Sequence, residues 1–161
     1  MFKQEEILER LLPLLKIRSV KAAPLKNAPF GEGAKKALDY VLSLANDMGF
    51  ETVNYDNYVG EVIFGEGKPF GVLCHLDVVP EGELSAWTTP PYEPTIRDGK
   101  LFARGAVDDK SPAISVLSAI LSTDAPRLNS SAIANKRSSV PSLIYSRSSP
   151  SERKSNLLLC K

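Results

Sequence analysis

Residues 70–74 form an apolar run, FGVLC, that ends at the only histidine of the chain, His75. A run with no polar alternation reads as a strand covered on both faces, and such a strand needs helices to cover it. The neighbouring segments supply them. Residues 3–16 place Ile7, Leu8, Leu11, Leu12 and Leu15 at helical spacing, with Glu5, Glu6 and Glu9 in the early turns where the helix dipole favours acids. Pro13 removes an amide donor and clashes one turn back, so a kink or an early end is expected there. A second helix is expected over about residues 32–48, with Ala34, Leu38, Val41, Leu42, Ala45 and Met48 on one face and Gly49 as its stop.

The period then changes. Residues 52–55, 59–64 and 70–74 are short β-branched and aromatic runs separated by Asp56-Asn57 and Gly65-Glu66-Gly67, the pattern of strands joined by tight turns. In TIRDGKLFA the Asp98-Gly99 pair between two extended segments is a strong hairpin signal. From Ser111, SPAISVLSAIL returns to helix, with Pro112 tolerated in the first turn because its missing donor is unpaired there anyway. Helices, strands and a turn leading into a helix give an α/β layered domain.

Two motifs carry candidate chemistry. His75 would emerge at the C-terminal edge of its strand, where α/β proteins collect ligands. Asp77, two positions on, falls on the same side and is placed to accept a hydrogen bond from the ring nitrogen that faces away from a metal. The plainer account is a histidine bonded to nearby backbone, with Asp77 capping the loop. Thirty-three residues after His75, the run ARGAVDDK brings a Gly105 turn and the pair Asp108 and Asp109 to the start of a helix. One acid suffices as a helix cap. Two, beside Lys110 and meeting HLD in an α/β frame, favour a metal-bound carboxylate. Imidazole and carboxylate together suit zinc, with manganese or cobalt also accepted. A working centre needs a general base and further ligands beyond His75 and Asp108.

HLDVVPEG, then Trp87 and PYEP, then DGKLFARGAVDDKSP resemble the zinc-dependent dipeptidases of the aminoacylase and carboxypeptidase-G superfamily, closest to the PepV-type bacterial enzymes. APFGEG and NYVGEVIFGEG fit the same pattern, so the resemblance covers residues 1 to about 121. It implies the N-terminal part of a metallopeptidase catalytic domain, a mixed sheet flanked by helices, and a centre of two zinc ions. The implied reaction is hydrolysis of short peptides, dipeptides above all, by metal-activated water. In that scheme His75 is a ligand of one metal, Asp108 bridges both, and Asp77 is the catalytic-site acid that orients His75. Asp109 supports them after a cis peptide that aims the bridging carboxylate, while Trp87, Pro91 and the PYEP loop look structural. The resemblance also implies a general-base Glu and a neighbouring ligand Glu some thirty residues after DDK, and a later Asp and His. The stretch NKRSSVPSLIYSRSS in that region holds no carboxylate, and the chain has one histidine. A non-catalytic, truncated or frameshifted polypeptide with weak metal binding is therefore the competing reading.

The pattern breaks beyond about Leu121. Residues 122–161 contain 11 Ser and no Gly, and neither helical nor strand period persists. The expectation is an irregular tail, either natural low-complexity sequence or a stretch foreign to the domain, as a frameshift would leave. It is also basic. Residues 1–121 carry 13 Lys plus Arg against 17 Asp plus Glu, and residues 122–161 carry 7 against 2. Without interleaved aromatics this does not make a nucleic-acid-binding module. No apolar run approaches the roughly 18 residues of a membrane span, and MFKQEEILERLLPLL carries acids where an export signal carries bases, so a cytoplasmic protein with reduced Cys74 and Cys160 is expected.

Overall fold

Helix α1 (Gln4–Leu15) buries Leu11, Leu14 and Leu15, and Pro13 lies inside it with the helix ending two residues later. The expected early end is thus confined to the last turn, where Pro13 removes only a terminal hydrogen bond. Helix α2 (Glu32–Asp47) buries Ala34, Ala37, Leu38, Val41, Leu42 and Ala45. It stops where expected: Gly49 has φ +83°, and Phe50 N–H returns to Ala45 O at 3.0 Å, a glycine-terminated helix end. The structure, a computed structural model, describes residues 3–65, 71–122 and 157–160.

Strands β1 (Glu51–Tyr55) and β2 (Val59–Ile63) are antiparallel, with Tyr55 opposite Val59. The turn between them holds Asp56 and Asn57 at positive φ, which these two residue types tolerate. Strand β3 (Val72–His75) belongs to the same four-stranded sheet, while β4 (Thr95–Arg97) and β5 (Lys100–Phe102) form a separate hairpin. The Asp98-Gly99 turn has φ of 51° and 69°, the two positive values that a two-residue primed turn requires. Helix α3 (Lys110–Leu121) follows the site turn.

Helix α2 packs on β1 and β2, α3 packs on β3, and α1 packs on both helices. Their side chains share one core with Val62 and Cys74. Gly60 permits the close approach of α2, since a Cβ there would lie 2.7 Å from Leu38 Cδ1 and 2.9 Å from Leu42 Cδ2. The expectation that the FGVLC strand is covered on both faces is corrected for β3: Cys74 is buried, whereas Leu73 on the opposite face is 62% exposed. The core that the three helices share reaches one face of the sheet only.

The irregular-tail expectation is also corrected at four residues. Leu157–Cys160 form strand β6 between β2 and β3, parallel to the first and antiparallel to the second. The LLLC run is the apolar cluster of an otherwise polar stretch, and its backbone completes the hydrogen-bond ladders of both neighbours. Residues 123–156 and 161, on which the rest of that expectation falls, lie outside the described residues. Among the described residues no helix is long and apolar enough to cross a membrane.

Candidate functional site

His75 closes β3, and the turn before α3 brings Asp108 to it: His75 Nε2 lies 3.0 Å from Asp108 Oδ1. On the other side of the ring, Nδ1–H donates to the backbone carbonyl of Asp77 at 3.0 Å. A carbonyl only accepts, so this bond keeps a proton on Nδ1; the Asp108 contact is then a hydrogen bond in the imidazolium, with Nε2–H donating, while the neutral ring presents a lone pair there that a cation can take. Partial burial of the ring opposes protonation. It is outweighed by the Asp77 carbonyl, the charges of Asp77 and Asp109 and the Asp108 contact, so the imidazole holds its proton above the usual histidine range.

The expected role of Asp77 is therefore altered in its atoms. Asp77 does stand behind the ring, but its backbone carbonyl takes the hydrogen bond, because the chain turns directly after β3 and brings that carbonyl to Nδ1. Its carboxylate Oδ1 is 3.4 Å from Nδ1, buried, and without a hydrogen-bond partner. Asp109 accepts the backbone N–H of His75 at 3.0 Å through Oδ2, tying the turn to the strand end. The Asp108–Asp109 peptide is cis. Asp109 makes no side-chain cap of α3, so helix capping does not account for the acid pair.

The surrounding loop is fixed by Glu81. Its carboxylate accepts Arg18 Nε and an Arg18 terminal nitrogen, each at 3.0 Å, and Tyr92 Oη–H at 3.1 Å. These donors, Arg18 foremost, hold the Glu81 carboxyl below its usual range. Trp87 Nε1–H donates to the Glu81 carbonyl at 2.9 Å, and the Arg104 guanidinium stacks 5.1 Å over the Trp87 ring. Trp87, Tyr92 and, through the 2.7 Å bond from Arg104 N–H to its carbonyl, Pro91 thus hold loops together. A cleft of about 350 Å³ opens beside Asp108, walled by Trp87, Thr88, Phe102, Arg104 and Val107.

Lys110 is the residue whose part the motifs did not reveal. It is fully buried, and its ammonium donates to Ile17 O at 2.6 Å and Leu14 O at 3.0 Å. Burial lowers its pKa to about 8. A signal was present: a cation at the first position of a helix opposes the helix dipole, so it needs a partner elsewhere.

Among the described residues, no group of three or more His, Cys, Asp or Glu side chains converges on one point. Zinc takes three or four protein ligands. His75 and Asp108 fit one edge of a metal centre and not a complete one.

Residues 71–132 match the family model of peptidase family M20/M25/M40. A Bacillus subtilis (strain 168) protein named "Putative dipeptidase YtjP" is 42% identical over 123 residues, which is 73% of this chain and 26% of that protein. A "Putative dipeptidase" of Staphylococcus aureus (strain USA300) is 40% identical over 120 residues, 73% of this chain and 25% of its own length. The crystal structure of human carnosine dipeptidase 1 shares the fold, with a TM-score of 0.54 at 23% identity over 73% of this chain and 28% of that one. The chain spans about a quarter of the length of the curated relatives it matches.

Proposed function

We propose that this chain, which belongs to peptidase family M20/M25/M40, carries one part of a metallo-dipeptidase centre. His75 Nε2 is its imidazole donor and Asp108 Oδ1 its carboxylate donor. Asp77 and Asp109 hold these two in place from behind. The observation that carries the reading is the 3.0 Å approach of Nε2 to Oδ1, with Nδ1 already committed to the Asp77 carbonyl. The donor pair suits zinc, and manganese or cobalt would also accept it. The two-ion centre of a complete enzyme draws its remaining ligands and its general base from elsewhere.

The substrate class in this reading is the short peptide, and the cleft beside Asp108 has the volume of a small-molecule site. The family-like body in this reading comprises residues 1–121; the family match itself runs on to residue 132, and Leu157–Cys160 add a strand to the body's sheet. A cytoplasmic setting, with Cys74 as a free buried thiol, belongs to the same proposal. Among the described residues one imidazole and one carboxylate are in place, and in this reading that pair binds metal weakly and completes no catalytic centre by itself.

His75 is the only histidine, so its ring gives one set of imidazole signals in two-bond proton–nitrogen spectra. Zinc added to the labelled protein should move the Nε2 resonance, and Asp108→Ala should weaken that response. No movement at millimolar zinc, or an equal response in Asp108→Ala, would remove the metal-donor reading.

A further inference from the structure

Behind the His75 and Asp108 pair runs the connector that follows α1, residues 16–20, and it is fastened to both halves of the site. On the His75 side, Ser19 Oγ–H donates to Leu76 O at 2.6 Å, Val78 N–H donates to Ser19 O at 3.2 Å, and Val20 bridges Val78 as a parallel pair. On the Asp108 side, Ile17 O and the adjacent Leu14 O receive the Lys110 ammonium. Ser19 and Lys110 both have no exposed surface. The two halves also meet directly at Gly105, where a Cβ would lie 3.0 Å from Val78 Cγ1 and 3.1 Å from Lys110 Cδ.

A buried ammonium whose hydrogen-bond partners among the described residues are carbonyls and no carboxylate is expensive to keep. Carbonyls at and just past the C-terminal end of α1 offset it, because they lie at the negative end of the dipole: Leu14 O takes the ammonium in addition to Ile17 N–H, and Ile17 O lies two residues beyond the helix. Helix α1 has no basic residue of its own in its last turn. Lys110 serves that end from 96 and 93 residues away in sequence.

We propose that Lys110 and Ser19 are positioning residues: they lock the Asp108 turn and the His75 loop to one shared connector and so set the approach of Asp108 Oδ1 to His75 Nε2. The consequence for metal binding rests on the reading of that pair given above; the positioning itself does not need a metal.

The test uses the full chain, nitrogen-15 labelled, free of metal and at one fixed pH. Lys110→Met keeps the buried volume and removes the donors, while Ser19→Ala removes one hydroxyl on the other side. Leu117→Ala, at a fully buried core position of α3, is the packing control. The Nε2 resonance of His75 in Lys110→Met and in Ser19→Ala should move toward its position in Asp108→Ala, and Leu117→Ala should leave it at the wild-type position. A folded Lys110→Met or Ser19→Ala with the wild-type ring spectrum overturns the proposal, as does an equal movement in Leu117→Ala. If Lys110→Met does not fold, Ser19→Ala decides alone. Zinc is absent throughout, so a wild-type protein that ignores zinc sinks the metal reading and leaves this result intact. Variants that keep the wild-type ring spectrum sink the positioning claim and leave zinc binding intact.

Discussion

Gly33→Ala sets two effects of opposite sign against each other. Gly33 is the second residue of α2, and alanine in a helix is favoured over glycine by about 1 kcal/mol. Helix propensity alone therefore predicts a more stable protein. The structure predicts the reverse. A Cβ on Gly33 would lie 2.0 Å from the Arg18 carbonyl oxygen, 3.1 Å from its carbon and 3.4 Å from Ser19 Cα. Ordinary contact begins near 3.4 Å, so the Arg18–Ser19 backbone must withdraw by more than about 1 Å. Overpacking of this kind costs about 1–3 kcal/mol. Displacing Ser19 also weakens its buried bond to Leu76 O, a neutral hydrogen bond of about 1 kcal/mol. The net expectation is a loss of about 2 kcal/mol, read as a lowered urea midpoint by circular dichroism. Gly71→Ala is the control, because a Cβ added at Gly71 would meet nothing within 4 Å; it should stay within about 0.5 kcal/mol of wild type. A Gly33→Ala protein as stable as wild type, or more so, would refute the close approach of α2 to the connector.

Two further outcomes concern pH. His75 binds its proton more tightly folded than unfolded, so its contribution is fully present below about pH 6.5 and is lost as pH rises through the raised folded value. The stability difference between wild type and His75→Gln should shrink as pH rises, and a difference that grows would contradict the ring environment described. Lys110 is shifted the other way, to about 8, so the unfolded chain holds that proton more tightly. Stability should therefore rise above about pH 8 in wild type relative to Lys110→Met, up to the ordinary lysine range near 10.4. A flat difference in urea unfolding across that window would show that burial does not oppose the ammonium.

Much of this architecture was legible because it is written locally. Gly49 ends α2 and Asp98-Gly99 turns the hairpin for reasons contained in two or three residues, and the HLD and DDK motifs each announce a strand end or a turn. Their meeting was legible only as a motif pair, since the 3.0 Å contact joins residues 33 apart. Leu73 shows the limit of composition: an apolar run does not say whether both its faces find partners. Asp77 shows the limit of residue type, because its carboxylate drew the attention while its backbone carbonyl makes the bond. The first-position cation of α3 hinted that Lys110 needs a partner, but which atoms Lys110 and Ser19 reach was out of sight for a different reason. Their partners lie 93 and 57 residues away, and no periodicity records a contact between a side chain and a distant carbonyl.

The described residues of this polypeptide, in the reading proposed, hold a pair of metal donors from a dipeptidase centre without completing it. The decisive assay is hydrolysis of simple dipeptides by the purified 161-residue chain with excess zinc or manganese, followed by release of free amino acids. None is expected above a metal-only blank, because the one imidazole and one carboxylate that converge among the described residues leave the ion loosely held and supply no base beside it. Hydrolysis that is present in wild type and abolished by His75→Ala would contradict this, since a base and further ligands would then have to come from residues of this same chain.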